Sequence, residues 1–190
     1  MTPIATPGQT VGPFFHYALP YDGDHDLVAP GTASSIRLHG TVRDGDGRGV
    51  PDALVEIWQA APGGEVLQRP GSLRRDGVTF TGFGRAATDR TGHYGFTTVR
   101  PGPVDDGLPF FAVTVFARGL LNRLFTRAYL PIEGGRSDAV LAAAGQRAQT
   151  LVCVPDEDGL RFDIRLQGEG ETVFLSYPGH REATGGTLTE

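Results

Sequence analysis

Lysine is absent from this chain. All 17 basic residues are arginine, so any anion site must be built from guanidinium, backbone N–H or histidine. Guanidinium suits bidentate carboxylate binding. The same absence excludes a phosphate loop of the G-x-x-x-x-G-K-[ST] type. Cysteine is nearly absent too. The single Cys153 cannot form an internal disulfide, and a reducing cytoplasm is the expected setting. No stretch approaches 18 consecutive apolar residues, which speaks against a spanning helix. The opening MTPIATPGQT has neither the basic nor the apolar region of a secretory signal. A formal net charge of -5 argues against a general nucleic-acid binder, which presents a basic face. There is no G-x-S-x-G and no H-x-H or H-x-x-x-H pair, so neither a serine nucleophile nor a local metal pair is signalled. The histidines His16, His25, His39, His93 and His180 are scattered and read as structural or surface residues.

What is present is strand and turn chemistry. At 190 residues the chain is long enough for one domain with its own core. Ile36, Leu38, Gly40 and Val42 alternate as in a half-buried strand. DGDGRG over residues 44–49 reads as a hairpin turn, because its glycine comes too early and its closing glutamate is missing for a calcium loop. Val55 and Ile57 continue in a second strand that ends near Trp58. FGRAATD and TGHYGFTTV are two more strands joined by a polar turn at residues 89–92. Residues 110–117 carry apolar side chains on both faces, as in a strand buried from two sides, and residues 121–130 form another strand. SDAVLAAAGQR reads as the one helix, with Ser137 as cap, Asp138 in the first turn and Gly145 as stop. DEDG between TLVCV and LRFDIRL signals a hairpin that places Phe162, Ile164 and Leu166 on one face. ETVFLSY makes a last strand. The expected fold is all-β: an antiparallel β-sandwich over residues 31–177, with an irregular N-terminal arm over 1–30 and a tail over 178–190.

Two candidate sites come from residue chemistry. Glu169 and Glu171 alternate with glycine and read as a turn pair rather than as an acid and a base. Arg127 is the more informative residue, since it stands inside an apolar strand between Phe125 and Tyr129. A charge there needs a partner or a ligand. An internal ion pair and a bound carboxylate both remain open.

Several segments taken together resemble the intradiol ring-cleavage dioxygenases: TPGQTVGPFFH, VPDALVEIWQA, FGRAATDRTGHYGFTTVRPGP, FARGLLNRLFTRAYL and RFDIRLQGEGETVFLSY. They follow in order and span residues 6–177. The catalytic chains of that family hold Fe(3+) with two tyrosines and two histidines. One tyrosine lies between the WQA and GR strands, one follows Pro-Gly-Pro, and the histidines form an H-x-H in the next strand. Here residues 61–84 contain no tyrosine, Val104 follows Pro-Gly-Pro, and Phe110 and Ala112 fill the H-x-H positions. Valine, phenylalanine and alanine offer no donor that ferric iron accepts.

The resemblance is therefore to the alpha-type chains of the two-chain enzymes in this family, and it implies no catalytic and no metal-ligating residue here. It implies a beta subunit that carries the Fe(3+), a substrate pocket at the interface, and 3,4-dihydroxybenzoate and O2 as substrates. Thr10, Gly12, Pro13 and Arg127 are the substrate-binding residues it implies, with Arg127 near the substrate carboxylate. Glycine and proline at 12 and 13 would let backbone approach the ring closely. A single-chain catechol or hydroxyquinol dioxygenase and a non-catalytic prealbumin-like binding module are the competing readings.

Overall fold

Along Ser35–Arg43 (β1) Leu38, Gly40 and Val42 are buried on one face, and Arg37 and Arg43 point outward, as two-residue periodicity requires. The computed structural model describes residues 15–68, 76 and 79–177. The strands that follow are β2 (Leu54–Gln59), β3 (Phe83–Ala87), β4 (His93–Val99), β5 (Phe110–Phe116), β6 (Leu124–Tyr129), β7 (Val154–Asp156), β8 (Gly159–Arg161) and β9 (Ile164–Arg165). The helices are α1 (Phe15–Ala18), α2 (Ala139–Ala144) and a 3-10 helix, Gly145–Leu151.

Two sheets face each other. One has the order β4-β1-β8-β7, with β9 also on β1; the other has the order β3-β2-β5-β6. The second sheet is antiparallel throughout. The first is mixed, since β1 pairs antiparallel with β4 but parallel with β8 and β9. Leu38, Val42 and Phe96 from one sheet meet Val55, Ile57, Phe111, Val113 and Val115 from the other in a single core. Burying each large side chain there stabilises the fold by about 2 kcal/mol. A second cluster, Leu108, Tyr129, Leu141 and Leu151, fixes α2 and the 3-10 helix to the end of β5 and β6.

The turn at residues 44–49 is held by its own carboxylate: Asp44 Oδ1 accepts from the N–H groups of Asp46 (3.0 Å) and Arg48 (2.8 Å). It closes locally on Val42 and Arg43, but it does not pair β1 with β2, which lie in different sheets. The same holds for β3 and β4. Each of these turns carries the chain from one layer to the other.

Four expectations need correction. LRFDIRL is not one strand: it breaks at Phe162–Asp163, where Gly40 of β1 passes so close that a Cβ on it would sit 2.0 Å from the Phe162 carbonyl oxygen. Asp163 Oδ1 accepts from Thr41 N at 2.9 Å in the gap. ETVFLSY is not a strand either. It makes a single bridge, Leu175 to Phe125. The helix is shorter than expected, ending at Ala144, with Asp138 and not Ser137 as its cap. Lastly, β5 buries one face fully (Phe111, Val113, Val115) and the other only partly (Phe110, Ala112, Thr114, Phe116).

Residues 24–27 close the gap between the β3 and β4 edges. Leu27 N donates to Thr97 O (2.8 Å), Thr97 N to His25 O (3.0 Å) and Arg85 N to Asp24 O (2.8 Å), and Leu27 joins the core. Such pairing satisfies edge groups that would otherwise invite another strand.

Candidate functional site

The register of the four-stranded sheet decides which side chains meet on its outer face. Phe83 stands opposite Trp58, Trp58 opposite Ala112, and Ala112 opposite Arg127. One row of side chains thus crosses all four strands. In the next row Phe110 stands opposite Tyr129. The aromatic rings pack along these rows, with Trp58 on Phe83 (centroids 4.7 Å apart) and Phe110 on Tyr129 (5.5 Å). Trp58 keeps 44% of its surface exposed.

Arg127 belongs to this face and does not stand alone. Its Nη1 donates to Tyr129 Oη at 3.0 Å and lies 3.6 Å from Asp138 Oδ2. Tyr129 Oη in turn donates to Asp138 Oδ2 at 2.7 Å. The guanidinium carbon sits 4.1 Å from the Phe110 ring centroid, a cation–π distance. Asp138 does two jobs at once: its other oxygen caps α2 by accepting from Val140 N (3.0 Å) and Leu141 N (2.9 Å). Burial alone would raise the Asp138 carboxyl, but the Leu141 N–H, the Tyr129 hydroxyl and the Arg127 charge outweigh it and hold its pKa below the usual value. Burial is the main reason that the Tyr129 hydroxyl is pushed up to about 12, with the Asp138 hydrogen bond adding to it. At neutral pH the unit is therefore Arg⁺, neutral Tyr and Asp⁻.

The ion-pair reading of Arg127 is thus realised, but only one nitrogen is used. Among the described residues Nε and Nη2 make no hydrogen bond, and the side chain keeps 26% of its surface exposed. The guanidinium is thus held at one nitrogen, with the other two left without a hydrogen-bond partner among the described residues.

Beside this row is a pocket of about 170 Å³ whose walls include Val104, Phe110 and Ala112 together with Trp58, Leu67 and Leu108. Val104, from the loop before β5, and Phe110 and Ala112, two residues apart on β5, converge on one space. Each brings an apolar side chain. Sequence reasoning found these positions through the resemblance, but missed Tyr129 and Asp138. The sign that could have found Asp138 is an acidic residue at a helix start just beyond an oddly placed arginine. Thr10, Gly12 and Pro13 lie outside the described residues.

The other candidates have local roles. His39 is buried, with Nε2 3.1 Å from Asp156 Oδ1, tying β1 to β7; its ring lies 5.8 Å from that of His93. Glu169 is exposed in a turn, and Glu171 pairs with Arg147 at 3.4 Å. Burial pushes the Cys153 thiol up to about 12, which leaves it inert as a nucleophile. Among the described residues no helix is long and apolar enough to cross a membrane.

Comparison with known proteins identifies the family. The family model described as Dioxygenase matches residues 11–108. A protocatechuate 3,4-dioxygenase alpha chain from Burkholderia cepacia is 37% identical over 191 residues, covering 90% of this chain and 96% of the relative. The beta chain from the same organism is 34% identical over 168 residues, covering 81% of this chain but 69% of the relative. Among solved structures, the dioxygenase domain of a carbohydrate-binding fusion protein from Streptomyces sp. SirexAA-E superposes with a TM-score of 0.54 at 22% identity, covering 86% of this chain and 98% of that one, a likeness of fold. The family model and the relatives at 34–37% identity place the chain in the intradiol ring-cleavage dioxygenase family.

Proposed function

We propose that this chain is the non-iron-binding alpha-type subunit of a protocatechuate 3,4-dioxygenase, paired with a beta-type chain that holds the iron. The family depends on Fe(III). The residues present here do not fit it: Val104, Phe110 and Ala112 line the pocket where donors would be needed, and ferric iron requires hard anionic or imidazole ligands. Among the described residues no group of three or more His, Cys, Asp or Glu side chains is placed to hold a metal. That convergence of three apolar side chains is the observation that carries the reading. The match to an alpha chain over 96% of its length, against 69% of a beta chain, supports it.

The reaction of the assembled enzyme is cleavage of 3,4-dihydroxybenzoate by O2 between its two hydroxylated carbons, giving 3-carboxy-cis,cis-muconate. This chain's part is binding and orientation. Arg127 offers its two open donors to the substrate carboxylate. Tyr129 and Asp138 keep the guanidinium from swinging away and hold its charge on Phe110. Thr10, Gly12 and Pro13, which lie outside the described residues, are assigned to substrate binding by the family resemblance alone. A fixed donor pair restricts how the substrate ring can lie, which is how positioning lowers a barrier.

The test is co-expression with a beta-type chain that carries the two tyrosine and two histidine ligands. The two chains are expected to co-purify and to consume O2 with 3,4-dihydroxybenzoate, and the beta-type chain alone to do so poorly. A beta-type chain equally active without this partner would overturn the proposed role.

A further inference from the structure

The pocket beside Trp58 is left without a task by the role proposed for Arg127. Its volume is about 170 Å³, and among the described residues that line it none is charged. The polar side chain there is Gln59, and its amide is committed elsewhere. Nε2 donates to Val99 O (2.9 Å) and Ala60 O (3.3 Å), and Oε1 accepts from Thr98 Oγ1. The remaining walls are Val66, Leu67, Val104, Leu108, Phe110 and Ala112 with the indole of Trp58, plus backbone at Ala60 and Gly102.

A water molecule in such a space would find few polar partners, and each wall atom facing a void loses its dispersion contacts. Apolar cavities of about 150 Å³ stay dry and take up benzene. The space here is of that size. Two of its lining residues reach solvent, Trp58 (44% exposed) and Val66 (62% exposed). The chemistry on offer is aromatic contact with Trp58 and Phe110 and aliphatic contact with Val104, Leu108 and Ala112.

We propose that this pocket is a binding site for a small uncharged aromatic molecule, of the size of benzene carrying one small substituent. Recognition is by burial and ring contact alone. A carboxylated ring is disfavoured, because its charge would lose water without gaining a partner from the described lining residues. The site therefore has the opposite preference from Arg127. It depends on this chain only and does not rest on the proposed pairing with a beta-type chain.

The experiment uses the full-length chain and fluorobenzene as probe. Binding is followed by ligand-observed ¹⁹F NMR and by the emission of Trp58, the single tryptophan. A ligand of so few atoms is expected to bind saturably with Kd on the order of 0.1–1 mM, and 4-fluorobenzoate at least tenfold more weakly. Ala112→Leu fills the pocket from the sheet side and is expected to weaken fluorobenzene at least tenfold. Val104→Phe fills it from a loop and carries the same expectation if the first variant does not fold. No saturable response, equal binding of the acid, or a folded filled variant that binds like the parent would each overturn the proposal.

Discussion

In the assembled enzyme, Arg127→Ala is expected to raise KM for 3,4-dihydroxybenzoate by roughly ten- to a hundredfold while changing KM for plain catechol by less than about threefold. The magnitude follows from losing hydrogen bonds to a charged group, worth about 1.5–3 kcal/mol. The selectivity follows from geometry. Only a carboxylated ring has an anionic oxygen to place on Nε and Nη2, the two nitrogens left open once Nη1 is bound to Tyr129. Arg127→Lys should recover only part of the loss, because an ammonium cannot offer two parallel donors. Steady-state kinetics with both substrates decide the point. An equal rise in KM for both would make Arg127 a structural residue serving the Asp138 ion pair alone.

Asp138→Ala is expected to lower stability by about 2 kcal/mol at neutral pH. About 1 kcal/mol comes from the lost cap of α2, and the rest from Tyr129, a fully buried residue that loses its acceptor. The pH dependence has a definite sign. The carboxyl is held below its usual value in the folded state, so its contribution is fully present above the unfolded pKa near 3.8 and is lost as pH falls through the lower folded value. Urea midpoints should therefore separate parent and variant at pH 7 and draw together below about pH 3.8. A gap of constant size across that window would contradict the assignment.

The strands most legible in the sequence were those with strict alternation. In β1 the periodicity of Ile36, Leu38, Gly40 and Val42 is enough, because one face is buried. The pairing of β1 with β8 was not legible. It joins His39 to Arg161 in parallel, and nothing local in either segment encodes a contact that distant. The segment ETVFLSY misled for a related reason: its β-branched and aromatic residues favour a strand, but pairing is decided elsewhere in the fold, and the segment makes one bridge, Leu175 to Phe125. Ser137 lost the cap of α2 to Asp138 because the backbone at Asp138 is extended (φ -123°, ψ 179°), which turns its carboxylate onto the first N–H groups.

At the candidate site the oddity of Arg127 was legible, since a charge inside an apolar strand asks for an explanation. Its partners were not. Asp138 reaches Tyr129 across nine residues of irregular chain, and the row Trp58, Ala112, Arg127 exists only once the register of three strands is known. The apolar character of Val104, Phe110 and Ala112 was plain in the sequence. That they share one pocket is a property of the fold.

The most direct measurement of the central claim is the metal content and visible absorption of this chain, purified alone after expression in iron-replete medium. The account predicts a colourless protein with no stoichiometric iron, and iron appearing only in a preparation that contains the beta-type chain. A burgundy chain with one iron per molecule and a tyrosinate-to-iron absorption band would contradict it.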